Sequence, residues 1–287
     1  TYGLWNSYMA GNYGGVGIIR SGTSGNYSYA PITVSADMAG TAMSVGPNLP
    51  IFDVSWFSAA RFANWMANGQ PTGAQGAGTT EQGAYALNGA VSGNAVGRSA
   101  INPNTSAAPT YFIPTLNEWY KAAFFSPALN GGAGGYFSYA TQSNVHPSNT
   151  PSWSDYGKAN VFTWPDGFAT TQDINIDSSA VYMTNVGSFT NSASYYGTFD
   201  QSGNVSEWSD SNGLAGSSRQ SIGGNWTSSP SGDPASSNIY SQSPSGSNYN
   251  LGFRLASAPA WSPVPEIDPA GFGSVAALLT GALGLLE

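Results

Sequence analysis

Hydrophobic and polar positions follow two rhythms along this 287-residue chain. From Thr1 to about Ser257, short aromatic-rich runs alternate with turns of Gly, Ser and Asn, a pattern that predicts short strands joined by long loops. Two stretches carry a helical period instead. In Ser55–Asn68 (SWFSAARFANWMAN), Trp56, Ala60, Phe62, Ala63 and Met66 approximate a 3.6-residue repeat, and Ser55 is placed to accept an N–H of the first turn. Thr115–Phe125 (TLNEWYKAAFF) sets Thr115 and Glu118 at capping-box spacing between Pro114 and Pro127, so each side chain can satisfy one orphan N–H. Glu118 and Lys121, three apart on that helix, are expected to form an exposed ion pair. The sum is an α+β domain with much irregular structure.

The pattern changes towards the C-terminus. Pro259–Pro269 (PAWSPVPEIDP) is a proline-spaced, semi-rigid linker, and Ala270–Leu286 is an uncharged apolar run closed by Glu287. As a helix that run measures about 26 Å at 1.5 Å per residue, slightly short of a hydrocarbon core of roughly 30 Å. Gly273, Ala277 and Gly281 recur at every fourth position and form one small-residue stripe along which helix backbones can approach closely. The expected organisation is a domain over 1–258, a linker over 259–269 and an apolar helix over 270–287.

Composition narrows the chemistry. Only 8% of residues are charged, against roughly a quarter in an ordinary soluble domain. The net charge of −8 comes without a Lys/Arg cluster, which excludes nucleic acid as a partner and leaves no basic patch for an anionic membrane. Aromatics at 13% supply apolar area to bury and argue against disorder. Cysteine is absent, so no thiolate mechanism, disulfide or Cys-ligated metal is open to the chain. The one histidine, His146, lies in Ser143–Pro151 (SNVHPSNTP) and reads as a plain surface loop residue. A surface built from Ser, Thr, Asn, Gln and Gly suits a secreted, extracellular protein.

Five blocks occur in a fixed order: PIFDVSWFSAARFANWM (Pro50–Met66), FIPTLNEWYKAAFF (Phe112–Phe125), YGTFDQSGNVSEW (Tyr196–Trp208), IGGNW (Ile222–Trp226) and NLGFRLA (Asn250–Ala256). Together, from about Tyr2 to Ala256, they resemble the formylglycine-generating-enzyme (sulfatase-modifying factor) domain, a variant of the C-type lectin fold. On that resemblance Trp56, Trp65, Trp119 and Trp208 are core or groove fillers. Gly223–Gly224 lets a strand pass close to another backbone, and Arg254 needs a buried carboxylate or carbonyl partner. The family domain begins with a strand and helix upstream of the segment that here reads Gly3–Tyr8. Their absence from this sequence implies processing or truncation, or supply in trans to an open sheet edge.

The resemblance implies an oxidase that uses a copper-bound cysteine pair between the IGGNW-like and GFR-like blocks. Here Thr227–Leu251 holds no cysteine, and a related iron branch needs several histidines, so the expected reading is not an enzyme. The resemblance also implies structural Ca²⁺ held by the Asp200 and Glu207 carboxylates and the Gly203 and Val205 carbonyls, hard oxygen donors around a tight turn. Ser206 stands where the family has Trp. A second implied Ca²⁺ set is Asn160, the Val161 carbonyl and Asp177.

The segment Val264, Pro265, Glu266, Ile267, Asp268 and Pro269, followed by the apolar run, resembles a PEP-CTERM sorting signal of the VPEID type. It implies an exosortase-type processing enzyme as a partner and a bacterial cell-surface or extracellular location. The function expected from all of this is a non-catalytic structural protein that self-assembles through its tail helix into a homo-oligomer, polymer, filament or surface layer. The alternative is a surface-anchored, calcium-dependent lectin-like module for polysaccharide or protein, with Tyr195, Tyr196, Trp153 and Trp226 as candidate stacking rings, although such rings more often serve packing.

Overall fold

Local signals place both helices. In the computed structural model α1 runs Trp56–Ala67, and the Ser55 hydroxyl accepts from the Ser58 N–H at 3.2 Å. Helix α2 runs Leu116–Phe124 with a complete capping box: Thr115 accepts from Glu118 N–H, and Glu118 Oε2 accepts from Thr115 N–H at 2.7 Å. That box corrects the expected Glu118–Lys121 pair. Its carboxylate is turned back towards the helix start, where it meets Arg98 at 3.1 Å rather than the lysine one turn ahead. The structure describes residues 49–150, 155–176, 180–228 and 235–257, and the backbone alone of 18–23 and 26–31. The chain divides into two units, Thr1–Ser257 and Ala258–Glu287. The sorting-type segment, the tail stripe Gly273, Ala277 and Gly281, and also Trp153 and Asp177 lie outside the described residues.

Strands are short, as the turn density predicts. A hairpin pairs β1 (Ile18–Thr23) with β2 (Asn26–Pro31). Three further pairs have two-residue strands. They join β3 (Tyr111–Phe112) to β12 (Ala256–Ser257), β4 (Phe125–Ser126) to β5 (Gly135–Tyr136), and β6 (Phe162–Thr163) to β7 (Gly167–Phe168). The organising sheet has the order β10–β9–β8–β11, with β8 at Ser206–Trp208, β9 at Arg219–Ile222, β10 at Ile239–Gln242 and β11 at Leu251–Phe253. Its β8–β11 pair is parallel and the other two are antiparallel.

So little ladder leaves many backbone groups to be satisfied another way, and buried asparagines do it. Asn64 is fully buried on α1. Its Nδ2 donates to the Thr80 and Tyr85 carbonyls, and its Oδ1 accepts from Tyr85 N–H, all at 2.8 Å. Asn149 donates to the carbonyls of Val161 (2.9 Å) and Gly167 (2.6 Å). Around these clamps the apolar core forms two clusters. One joins Trp56, Phe57, Ala60 and Ala63 of α1 to Tyr85, Ile113, Trp208 and Leu251. The other joins Trp119, Ala123 and Phe124 of α2 to Ala140 and Ile222. Trp56, Trp119 and Trp208 are wholly buried, whereas Trp65 is half-buried with its Nε1 on the Pro71 carbonyl.

Candidate functional site

The sheet pleat sorts the family-like blocks onto two faces. Glu207 pairs with Ile222 across β8–β9 and with Gly252 across β8–β11, so these three share one face. Ser206, Trp208, Arg219, Ser221, Tyr240, Gln242 and Leu251 fall on the other face by the same registers.

On the first face Glu207 is fully engaged. Trp119 Nε1 donates to its Oε2 at 2.7 Å, Arg254 Nε donates to the same oxygen, and Arg254 Nη2 donates to Oε1 at 2.6 Å. A third Arg254 bond reaches the Phe199 carbonyl, so the arginine in the GFR-like block, expected to need a carboxylate or a carbonyl partner, has one of each. Asp200 lies nearby at positive φ. Burial raises its pKa, while the Gly187 N–H on its Oδ2 (2.7 Å) and the Arg254 charge pull it back. Gly203 has φ 94°, and a Cβ there would overlap the Asn160 carbonyl oxygen, so only glycine fits. Gly223, at φ 96°, is less tightly enclosed: a Cβ would sit 3.1 Å from the Gln201 carbonyl oxygen and 3.2 Å from the Trp119 ring.

Asn160 of the second nominated set therefore meets the turn that carries the first. The Asn160 carbonyl accepts from Asn204 N–H at 2.8 Å, and Asn160 Nδ2 donates to Asn204 Oδ1 at 3.0 Å. Asn160 Oδ1 is buried without a hydrogen-bond partner, which fits a hard cation. The Val161 carbonyl accepts from the Asn149 amide, and Glu207 does not fit as arranged, because a guanidinium already neutralises it. Among the described residues no three Asp, Glu or His side chains cluster to hold a metal. Of the nominated donors, Asn160 Oδ1 is the buried one with no hydrogen-bond partner among the described residues, while Asp200 Oδ2 accepts from Gly187 N–H.

The second face ends in an open cleft of about 340 Å³. Its polar walls are Ser206, Ser221, Asn225, Thr227, Tyr240 and Gln242, and Leu251 lies beneath. Apart from Asn225 in the IGGNW-like turn, these residues come from β8–β11 and from the Thr227–Leu251 stretch, where the resemblance places reactive cysteines. No carboxylate, amine, guanidinium, imidazole or thiol is among the described residues that line it. Sequence reasoning missed this cleft as a site.

Five charged side chains, Arg61, Glu81, Glu207, Asp210 and Arg219, are buried. Among the described residues, Arg61, Arg98, Lys158, Arg219 and Arg254 are ion-paired. Arg219 Nε meets Asp210 Oδ1 at 3.0 Å with both side chains buried, the Tyr85 hydroxyl donates to Asp210 Oδ2, and the guanidinium lies over the Trp56 ring. Burial pushes the Asp210 carboxyl up to about 7 against the pull of Arg219 and Tyr85. Burial also raises Glu81, but its bonds to Arg61 (2.6 Å), Gly89 N–H and Gln75 outweigh that and leave its pKa low. His146 is half-buried rather than freely exposed. Its ring meets Tyr139 edge-on, Nε2 is buried without a partner, and burial lowers its pKa. Of the candidate stacking rings, Trp226 is committed to packing, stacked on Tyr182 at 4.8 Å. Tyr195 and Tyr196 are exposed and meet edge-on.

Among solved structures the chain is similar to Treponema denticola variable protein 1 (19% identity, covering 78% of this chain and 75% of that one, TM-score 0.41). It is also similar to CarF (19%, 78% and 72%, 0.40) and to PvdO from Pseudomonas aeruginosa (19%, 88% and 75%, 0.40). No curated protein sequence matches it significantly. The model of the sulfatase-modifying factor enzyme 1-like domain matches residues 24–259, and with most of its length inside that match the chain belongs to the formylglycine-generating-enzyme/sulfatase-modifying factor family.

Proposed function

We propose that this chain is a non-catalytic, secreted bacterial protein of the cell surface or extracellular matrix, a family scaffold used for contact rather than oxidation. One observation carries the non-catalytic part: the cleft walled by Thr227, Tyr240, Gln242 and Leu251 offers hydroxyls, amides and one phenol where the reaction would need thiolates. Among the described lining residues there is no thiol, imidazole or carboxylate to ligate copper, and a chain without cysteine cannot form a mixed disulfide. The location and the tail-driven assembly are supported by the low charge, the VPEID-type segment and the Gly273, Ala277 and Gly281 stripe. Exosortase-type processing follows from the same segment.

The test compares the full chain with a truncation lacking Ala270–Glu287 by sedimentation velocity and electron microscopy. Higher-order particles are expected from the full chain and monomers from the truncation. Equal assembly by both would remove the tail from the account. Cysteine-peptide oxidation that depends on this chain's own residues, measured with copper and oxygen present, would overturn the non-catalytic reading.

A second reading, a calcium-dependent lectin-like module, is favoured by the exposed Tyr195–Tyr196 pair and the unpartnered Asn160 Oδ1. Calcium there is structural, supporting the turn that carries Asp200 and Gly203. Its signature is glycan binding that EDTA abolishes.

A further inference from the structure

We propose that the cleft beside β10 binds a neutral polyhydroxylated ligand, a short saccharide segment, without any metal ion. Its volume of about 340 Å³ lies within the range of small-molecule sites. Its walls combine the hydroxyls of Ser206, Ser221 and Thr227 with the amides of Asn225 and Gln242. Each of these groups both donates and accepts, as every sugar hydroxyl does. A cleft with no charged wall among the described residues offers nothing to a phosphate, a carboxylate or an amine. Tyr240 is 47% exposed and adds a rigid ring that can cover the apolar C–H face of a sugar while its hydroxyl end stays polar.

The polar groups are held in place before any ligand arrives. Gln242 Nε2 donates to Ser221 Oγ at 2.5 Å, Asn225 Nδ2 to Ser206 Oγ at 3.3 Å, and Thr227 Oγ1 to Asn225 Oδ1 at 2.6 Å. Four of the six residues stand on strands of one hydrogen-bonded sheet, so little ordering cost remains on binding. A peptide suits the cleft less well, since Leu251 and the Tyr240 ring are its main apolar surfaces and side-chain pockets need more. The inference rests on the non-catalytic reading of the cleft but differs from the lectin-like reading in site and in cation.

The full chain is screened on an array of neutral and acidic glycans and a peptide library. The strongest neutral oligosaccharide then serves as the calorimetric probe for wild type, Tyr240→Ala, Asn225→Asp and Tyr195→Ala. We expect a neutral hit whose affinity survives EDTA and about 0.5 M NaCl, because no screened charge contributes. It should fall about tenfold or more in the first two variants and stay unchanged in the third, with unfolding temperatures and circular dichroism matching wild type throughout. Absence of any neutral hit, hits confined to acidic glycans or peptides, loss in EDTA, or full affinity in both Tyr240→Ala and Asn225→Asp would each overturn it. These readouts are separate from the assembly and oxidation assays, so either idea can fail alone.

Discussion

The interior and the cleft use polar residues in opposite ways. Inside, Arg61–Glu81, Arg219–Asp210 and Arg254–Glu207 are buried or half-buried, bidentate or multiply bonded, and matched charge for charge. In the cleft, a few strand positions away on the same sheet, the described walls are hydroxyls and amides with no formal charge. In a chain with 8% charged residues, three arginine–carboxylate pairs hold interior segments together, and no charged side chain is among the described residues that line the cleft. The lesson is that charge scarcity here shapes the surface more than the core. Specific contact must come from neutral hydrogen bonds and rings.

The sharpest way to break this contrast is to remove one interior charge. Asp210→Ala strands the Arg219 guanidinium, which is 1% exposed, without its carboxylate. The expected cost is about 3–5 kcal/mol in urea unfolding, the range for leaving a buried charge unpaired. A cost below about 1 kcal/mol would mean that water reaches the pair and that the interior is no more locked than the surface. Next in size is Trp119→Phe, which deletes the indole N–H on Glu207 Oε2 and a ring that Gly223 packs against. It should cost about 2–3 kcal/mol, the sum expected for a bond to a charged acceptor and a small void. An effect under about 0.5 kcal/mol would show that Arg254 alone neutralises Glu207.

How much of this was legible beforehand divides by sequence distance. Both helices were, because Ser55, Thr115 and Glu118 act within one turn of themselves. Glu118's real partner was not, because Arg98 lies twenty positions away and no local pattern selects it over Lys121. His146 failed for a similar reason: its loop reads as exposed, yet the Tyr139 ring covers one side of it. Asn64 reads as an ordinary polar position on a helix, and only the fold shows it gripping Tyr85 through both backbone groups. The Arg254 partner and the close approach at Gly223 were anticipated from the GFR-like and IGGNW-like blocks. The cleft needed the register of four strands, which brings Ser206, Ser221, Tyr240 and Leu251 to one face. Its one advance signal was the cysteine-free Thr227–Leu251 stretch. The Glu207 outcome shows the limit of transferred ligands: a motif specifies a carboxylate, but only the surroundings decide whether it meets a metal or a guanidinium.

Acid unfolding sharpens the contrast further, because it reads the hydrogen-bonded carboxylates and not the cleft. Glu81 and Glu118 both sit below the ordinary value of 4.5 in the folded chain. A depressed folded value stabilises the fold above the unfolded pKa, and that stabilisation is lost as pH falls through the folded one. Stability should therefore decline below about pH 4.5, and Glu81→Gln should shrink the decline. Asp210 works in the opposite sense. Its folded value of about 7 exceeds the ordinary 3.8, so protonation favours the fold as pH falls between them. Unfolding temperatures measured from pH 8 to pH 3 would contradict this if Glu81→Gln left the acid limb unchanged.

The smallest expected effect tests the other end of the scale, an ion pair that is not part of the interior. Arg98 and Glu118 have side chains 25% and 42% exposed, so solvent screens them in a way it cannot screen Arg219 and Asp210. Arg98 also lies 4.2 Å over the Phe112 ring, and that contact survives if an arginine is kept while the carboxylate changes. A double-mutant cycle with Arg98→Gln and Glu118→Gln separates the two contributions, since glutamine at 118 retains the capping bond to Thr115 N–H. The coupling should be below about 1 kcal/mol and should shrink in about 0.5 M salt. A coupling as large as that of Asp210 with Arg219 would mean that exposure does not separate the two classes of pair. Interior locking would then have to be explained by geometry rather than by burial.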